Sequence, residues 1–268
     1  MGNSRGLSER HTRDGGGRSI FTVKAKKHDK RCKDISRDFV LPDLQERYPE
    51  LEIQRWDSLH KTQIHKQLNS MNSKLGQHQF RENSHIRPDG GIFVVKDKQD
   101  NWRVILVAEA KLQGSNRDRI KRGLEKQPTG NALERATKNI AEVRNFMIDE
   151  NHFPYVIFGH GEDLTEREIE IVTQEPLDPN AKLSVGTLTT LGPQTIPDRI
   201  TSANYGLPCN KVLVHNRWIK RSDGRETMLQ PASLFMRLDP WTNKEMYEIM
   251  MEISHISLGI LAESGHLR

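Results

Sequence analysis

The spacing of apolar residues predicts four helices. Apolar positions recur mostly three or four residues apart over 59–75, 132–150 and 242–262, which is the spacing of one helix face. A shorter helix that starts at a proline is predicted around 42–48. The last long helix carries methionines and isoleucines along one side: Met246, Ile249, Met250, Ile253, Ile256 and Ile260. This row suits either a dimer contact or packing on the chain's own sheet, and the sequence leaves both open.

Continuous apolar runs predict β-strands between these helices. The runs "GIFVVKD" (91–97) and "WRVILVAEAK" (102–111) flank the polar stretch "KQDN", a pattern typical of a hairpin. Further strands are predicted at 155–160 and 211–216, and the segment 161–210, rich in Pro, Thr and Asp, is predicted to be a loop. Because strands and helices interleave, the sequence predicts a single α/β domain over 19–268.

Composition and charge narrow the class of protein. The chain has 268 residues, 34% hydrophobic and 29% charged, with a net charge of +5 that suits a polyanionic partner only weakly. Residues 1–18 are rich in Gly, Ser and Arg and are predicted to form a disordered basic arm. The chain shows no apolar run of membrane-spanning length and no export signal, and its two cysteines (Cys32 and Cys209) form no metal motif. A reducing cytoplasm and no membrane association are therefore expected.

An acid and a base close the second strand of the predicted hairpin. Glu109 and Lys111 follow a wholly apolar run, and residues two apart on a strand share a face, so both point away from Ala110. Asp89 lies in the turn "RPDGG" that opens the partner strand, and the hairpin can fold it back towards Glu109. Two carboxylates and a backbone carbonyl suit Mg²⁺, and a nearby lysine suits attack of water on a phosphodiester.

The same residues have a simpler interpretation. A Glu-x-Lys pair at a strand end usually consists of two solvated charges, and Pro-Asp-Gly-Gly is an ordinary turn. Their placement favours the functional interpretation, because an exposed strand would alternate apolar and polar residues up to its end.

A second candidate segment, "PTGNALERATKN" (128–139), opens the clearest helix. Asn131 and Glu134 are spaced as a capping box, which the physical chemistry of the segment favours. The alternative is base recognition, because polar side chains at a helix start can enter the major groove.

These two segments together carry a family resemblance. The stretches "RPDGGIFVVKDKQDNWRVILVAEAKLQG" and "GNALERATKN" resemble the EcoRI-like type II restriction endonucleases of the PD-(D/E)xK nuclease superfamily. Three more stretches are similar in the same order: "RWDSLHKTQI", "HFPYVIF" and "DRITSANYG". The resemblance implies a restriction-endonuclease-like α/β fold, in which helices flank a mixed central sheet of about five strands. It also implies a homodimer that acts on double-stranded DNA and is paired with a cognate DNA methyltransferase.

The resemblance also implies roles for individual residues. Asp89, Glu109 and Lys111 match the catalytic trio, with Mg²⁺ held by Asp89, Glu109 and the Ala110 carbonyl and the attacking water positioned by Lys111. The family's base-reading segment matches Asn131, Ala132, Glu134 and Arg135, and Arg199 matches an arginine assigned to the outer base pair. The implied target is a palindrome with an AATT core, GAATTC cut after the G being the favoured full site, with 5′-phosphate ends.

The chain departs from the family at positions that bear on the outer base pair and on DNA wrapping. The segment between Lys111 and Gly130 is shorter, "QPT" (127–129) replaces small apolar residues, and Ile196 replaces a second arginine. Two rival functions stay open beside the site-specific endonuclease, independently of these departures. They are a structure-selective repair nuclease of the same superfamily and a sequence-specific DNA-binding protein without catalysis.

Overall fold

The computed structural model describes residues 23–75, 81, 83–112, 116–124, 130–161, 217–220, 226–229, 232–237 and 240–267. The helices are α1 (Val23–Ile35), α2 (Leu41–Arg47), α3 (Lys61–Met71), α4 (Asn116–Lys121), α5 (Gly130–Phe146) and α6 (Asn243–Glu263), and a π-helical turn (Ser36–Val40) joins α1 to α2. The strands are β1 (Ile53–Trp56), β2 (Leu59–His60), β3 (His85–Ile86), β4 (Gly91–Lys96), β5 (Trp102–Leu112), β6 (Tyr155–His160), β7 (Arg217–Lys220), β8 (Glu226–Leu229) and β9 (Ser233–Arg237).

Five of these strands form a mixed sheet in the order β1-β4-β5-β6-β9. Strand β4 runs antiparallel to β1 and β5, whereas β5, β6 and β9 run parallel to one another. The parallel step from β5 to β6 needs a crossover, and helix α5 lies in that connection. The mixed sheet with flanking helices confirms the predicted fold class.

The sheet separates two hydrophobic cores. The first core lies between the sheet and helices α1, α2 and α6, and includes Cys32, Leu44 and Phe158. The second core lies on the opposite face with α3 and α5, and includes Ile64 and Ile140. Because both faces are covered, the central strands are apolar on both sides, which explains why the run before Glu109 does not alternate.

Strand β5 contains a β-bulge in its middle. Phe93 of β4 pairs with Leu106, but the next residue, Val94, pairs with Val104, so Ile105 is an extra residue on β5. Ile105 and Leu106 both face the first core. A bulge shifts the alternation of side chains by one residue, so Val104 and Val107 both face the second core.

The final helix packs on its own sheet. Most of the predicted apolar row is buried in the first core, with Met246, Met250 and Ile253 fully covered. The alternative, that this row is a dimer contact, is therefore not supported. Among the described helices, none combines the length and apolarity needed to cross a bilayer.

The structure departs from the sequence-based elements in several places. The helix predicted over 59–75 is shorter: Leu59 belongs to β2, and Met71 and Leu75 are exposed. Helix α1 and strands β1 and β9 are not predicted by the apolar pattern. The arm at 1–18, the strand at 211–216 and all but the first residue of the loop at 161–210 lie outside the described residues.

Candidate active site

The turn before β4 places Asp89 beside the end of β5. The Gly90 amide donates to the Ala108 carbonyl (2.8 Å) and the Gly91 amide donates to the Pro88 carbonyl (3.0 Å). Gly91 has a φ of 85°, which glycine adopts without strain. Gly90 lies so close to β5 that a Cβ there would be 2.6 Å from the Ala108 Cβ. Two glycines are therefore needed to hold the preceding aspartate at this point.

Asp89, Glu109 and Lys111 lie together at the end of the hairpin. The Lys111 Nζ is 3.4 Å from Asp89 Oδ2 and also forms an ion pair with Glu109 Oε1. The Ala110 amide donates to Asp89 Oδ2 at 3.2 Å. The Glu109 side chain is only 1% exposed, whereas the Asp89 and Lys111 side chains are 26% and 20% exposed. The predicted spatial relation of these three residues is confirmed, with Ala110 turned to the first core.

The carboxylates set the charge of this site. Burial alone would lower the pKa of Lys111, but Glu109 and Asp89 outweigh burial and raise that pKa above its ordinary value. Asp29 of helix α1 faces the same charges. Burial, together with the charges of Asp89 and Glu109, raises the pKa of Asp29 to about 6, although Lys111 acts in the opposite sense. The ammonium therefore stays charged, and the site is rich in carboxylates.

Two further residues hold Glu109, and the sequence did not point to them. Asn139 of α5 donates from Nδ2 to Glu109 Oε1 at 3.1 Å, and the Tyr155 hydroxyl of β6 donates to Glu109 Oε2. Burial, followed by the neighbouring Glu109 charge, raises the pKa of Tyr155 well above its usual value, so the hydroxyl keeps its proton. Asn139 lies in the "GNALERATKN" segment, but nothing in that segment distinguishes it as a partner of Glu109.

The arrangement of oxygens suits a divalent cation. Among the described residues no group of three or more His, Cys, Asp or Glu side chains could hold a metal. Strand β4 begins at Gly91, opposite Ala108, and the Ala110 amide lies beyond this first pair and points at Asp89. A strand residue directs its N–H and C=O to the same side, so the Ala110 carbonyl also lies on the Asp89 side. Two carboxylates and a carbonyl are the kind of oxygen set that hard divalent cations prefer.

The predicted recognition residues lie on helix α5 or beyond the described residues. Asn131, Ala132, Glu134 and Arg135 belong to the first turns of α5, and the structure describes only their backbone. The helix begins at Gly130, so Asn131 lies within the first turn, whereas the predicted capping box put it before that turn. Arg199 lies outside the described residues. Helix α5 therefore links the candidate recognition segment to Asn139 and Glu109.

Comparison with known proteins identifies the family. The family model described as "Restriction endonuclease EcoRI" matches residues 14–266. The chain is 40% identical over 265 residues to the type II restriction enzyme EcoRI of Escherichia coli, covering 95% of this chain and 93% of that enzyme. It is 37% identical over 257 residues to the type II restriction enzyme RsrI of Cereibacter sphaeroides, covering 93% and 90% of the two chains. The chain belongs to the EcoRI family of restriction endonucleases.

Proposed function

We propose that this protein is a type II restriction endonuclease that uses Mg²⁺ to cut both strands of a palindromic DNA site. The observation that carries the proposal is the Lys111 ammonium, which lies within reach of the Asp89 and Glu109 carboxylates at the end of a buried hairpin. A purely structural ion pair needs one acid and one base. A second carboxylate and a backbone carbonyl on the same side provide what phosphodiester hydrolysis needs.

Each residue of this site has a distinct role in the proposed reaction. Asp89, Glu109 and the Ala110 carbonyl hold Mg²⁺. When bound, Mg²⁺ supplies positive charge at the scissile phosphate and lowers the pKa of water at the site. The Lys111 ammonium holds the attacking water and offsets the negative charge that develops on the phosphate. Attack in line with the leaving 3′-oxygen leaves a 5′-phosphate and a 3′-hydroxyl.

The proposed target is a palindrome with an AATT core. Asn131, Ala132, Glu134 and Arg135 read the inner bases from the start of α5, and Arg199 reads the outer pair, which makes GAATTC, cut after the G, the favoured site. The support is the match of "GNALERATKN" to the family, because amide and guanidinium groups at a helix start can pair with base edges in the major groove.

The proposed working form is a homodimer. One catalytic site per chain and a palindromic target call for two-fold symmetry, so that each strand meets one site. The central five-stranded sheet, with a core on each face, supports a single nuclease domain over 19–268. A cognate DNA methyltransferase protects the host DNA, and cleavage of unprotected DNA that enters the cell puts the working protein in the cytoplasm.

Cleavage of a defined DNA tests this proposal against its rivals. The protein is incubated with Mg²⁺ and a plasmid that carries one GAATTC, and a matched plasmid has only the outer pair of that site changed. We expect one double-strand cut in the first plasmid, with 5′-phosphate ends after the G, and none in the second. Cutting of branched or mismatched DNA without discrete plasmid fragments would favour the repair nuclease. Site-dependent retention without a cut would favour the non-catalytic binder.

Substitutions test the catalytic trio. We expect Glu109→Ala and Lys111→Ala each to abolish cleavage and to leave a folded dimer that binds the site, measured by gel filtration and by DNA binding. Normal cleavage by either variant would contradict the assignment.

Arg135→Lys tests the recognition segment. Lysine loses the guanidinium fork, so recognition should fall while the melting temperature is kept. Unchanged cleavage at the true site and at near-cognate sites would contradict the role of Arg135.

A further inference from the structure

Both oxygens of the Glu109 carboxylate are held by donors from different elements. Oε1 accepts from Asn139 Nδ2 of helix α5 (3.1 Å) and pairs with the Lys111 ammonium. Oε2 accepts from the Tyr155 hydroxyl of β6, the neighbour of β5 in the sheet. The Tyr155 ring is fully buried and stacked on Phe153 with ring centroids 5.8 Å apart, so its hydroxyl has a fixed place.

These donors leave Glu109 little freedom. A carboxylate has about four lone-pair positions for donors or for a metal. Asn139, Tyr155 and Lys111 use three of them, so the direction left for a cation is set by where these groups stand. Rotating the carboxylate would break contacts in a region that is almost closed to water, which is costly for a charged group.

We propose that Asn139 and Tyr155 are positioning residues that aim the Glu109 carboxylate at the cation, and that Asn139 makes this aim depend on the placement of helix α5. This inference rests on the proposed function, because it assigns Glu109 to the metal. Neither residue takes part in bond making or breaking. Each acts through Glu109, as outer groups act on ligands in other metal sites.

The dependence on α5 follows from the geometry of the helix. Asn131 and Asn139 are eight residues apart, about 12 Å along one helix at 1.5 Å per residue. Ala136, Ile140 and Val143 of this helix are buried in the second core, so the segment moves as a unit against the sheet. A shift of α5 on an incorrect DNA site therefore moves the Asn139 amide relative to Glu109. Tyr155 lies on the sheet and does not follow such a shift.

The first test measures the Mg²⁺ dependence of cleavage. Tyr155→Phe removes only a hydroxyl, and Asn139→Leu replaces the amide by an apolar group of similar size. We expect both variants to raise the half-saturating Mg²⁺ concentration about 10- to 100-fold, with the same DNA binding in chelator as the unmodified chain. The matched control is Tyr247→Phe, which removes a hydroxyl that donates to the Asp43 carboxylate elsewhere. An unchanged Mg²⁺ dependence in both variants would overturn the proposal.

The second test separates Asn139 from Tyr155. Single-turnover rates and binding constants are measured on the cognate site and on a site with one base pair changed. Asn139→Leu should bring the ratio of cleavage rates between the cognate and the changed site closer to one, and should leave the ratio of binding constants between the two sites as it is. Tyr155→Phe should leave both ratios as they are. The control is Asn69→Leu on helix α3, which makes the same replacement where the amide donates to the Ser73 (3.2 Å) and Leu75 (3.0 Å) carbonyls, and it should keep both ratios. If Asn139→Leu leaves the ratio of cleavage rates unchanged, the link through α5 is wrong.

Failure of the proposed function and failure of the positioning role give different experimental results. If the unmodified chain does not cut DNA, or if Glu109→Ala cuts normally, the proposed function itself fails. If the unmodified chain cuts, Glu109→Ala does not, and both Asn139→Leu and Tyr155→Phe behave as the unmodified chain does, only the positioning role fails.

Discussion

Replacing Gly90 by alanine tests how closely the turn and the strand must fit. A Cβ at Gly90 would lie 2.6 Å from the Ala108 Cβ and 2.9 Å from the Cys32 Sγ, whereas ordinary contacts begin at 3.4 Å. Ala108 is fully buried in a central strand, so the turn has to move by about 1 Å to restore carbon contact distances. Overpacking of this kind costs about 1 to 3 kcal/mol of stability.

The same shift acts on the adjacent Asp89 carboxylate, which we propose as a ligand of the metal. Asp89 Oδ2 stands 3.2 Å from the Ala110 amide and 3.4 Å from the Lys111 ammonium, so neither contact survives a further ångström. A misplacement of about 1 Å in a catalytic group costs about 100-fold in rate. We therefore expect Gly90→Ala to lower the single-turnover cleavage rate about 100-fold at saturating Mg²⁺.

Two measurements and a matched control check this reasoning. Urea denaturation gives the loss of stability, and cleavage of a plasmid with one site gives the rate. Gly259→Ala places the same methyl group on helix α6, where nothing lies within 4 Å of it. The free energy of unfolding of the Gly259→Ala protein should rise by about 0.5 to 1 kcal/mol, and the protein should cleave DNA at the normal rate. A Gly90→Ala protein with normal stability and a normal rate would refute the account of the turn.

The remaining predictions concern two charged sites. Arg103 contacts the buried carboxylates of Asp97 (2.9 Å) and Glu150 (2.7 Å), so Arg103→Leu should lower the free energy of unfolding, measured by urea denaturation, by about 3 to 5 kcal/mol. Burial raises the pKa of Glu150 above its usual value although Arg103 acts in the opposite sense, so without Arg103 this carboxylate takes up a proton more readily as the pH falls, and the loss should be smaller in acid than at pH 7. A loss that does not change with pH would contradict this. The pKa of Asp29 in the folded state, about 6, exceeds the ordinary value of 3.8, so the folded chain binds this proton more tightly than the unfolded chain does. The free energy of unfolding therefore falls as the pH rises from about 4 to about 6. In chelator, Asp29→Asn should therefore be about 1 kcal/mol more stable than the unmodified chain at pH 7 and equal to it at pH 3.5, after allowance for its partial exposure; an equal difference at both pH values would contradict it.

The meeting of the three residues proposed as the catalytic trio could be predicted from the sequence because its geometry is local. Glu109 and Lys111 share a face by the alternation of one strand, and Asp89 comes back to them through one hairpin. No long-range information is needed for either relation. The apolar run that marks β5 is also a direct result of burial on both faces of the sheet.

The partners of Glu109 could not be predicted in the same way. Asn139 reaches Glu109 only because α5 packs across the sheet, and Tyr155 only because β6 pairs beside β5. Which helix face meets which strand is decided by the packing of the second core, which a local pattern does not contain. Helix α1 is not predicted either, because the local pattern again contains too little information about packing. Most of its residues are polar, and its inward side is marked by little more than Cys32 and Ile35.

The bulge at Ile105 has a consequence for the length of strand β5. Val104 and Glu109 are an odd number of residues apart and yet face the same core, because one residue between them is surplus to the alternation. A deletion of Ile105 would therefore leave both on their present side, at the expense of a buried isoleucine. A one-residue insertion between Leu106 and Glu109 would turn the Glu109 side chain to the other face of the sheet. Strand β5 can therefore lose a residue at the bulge, in the middle of the core, and still present Glu109 to Asn139 and Tyr155.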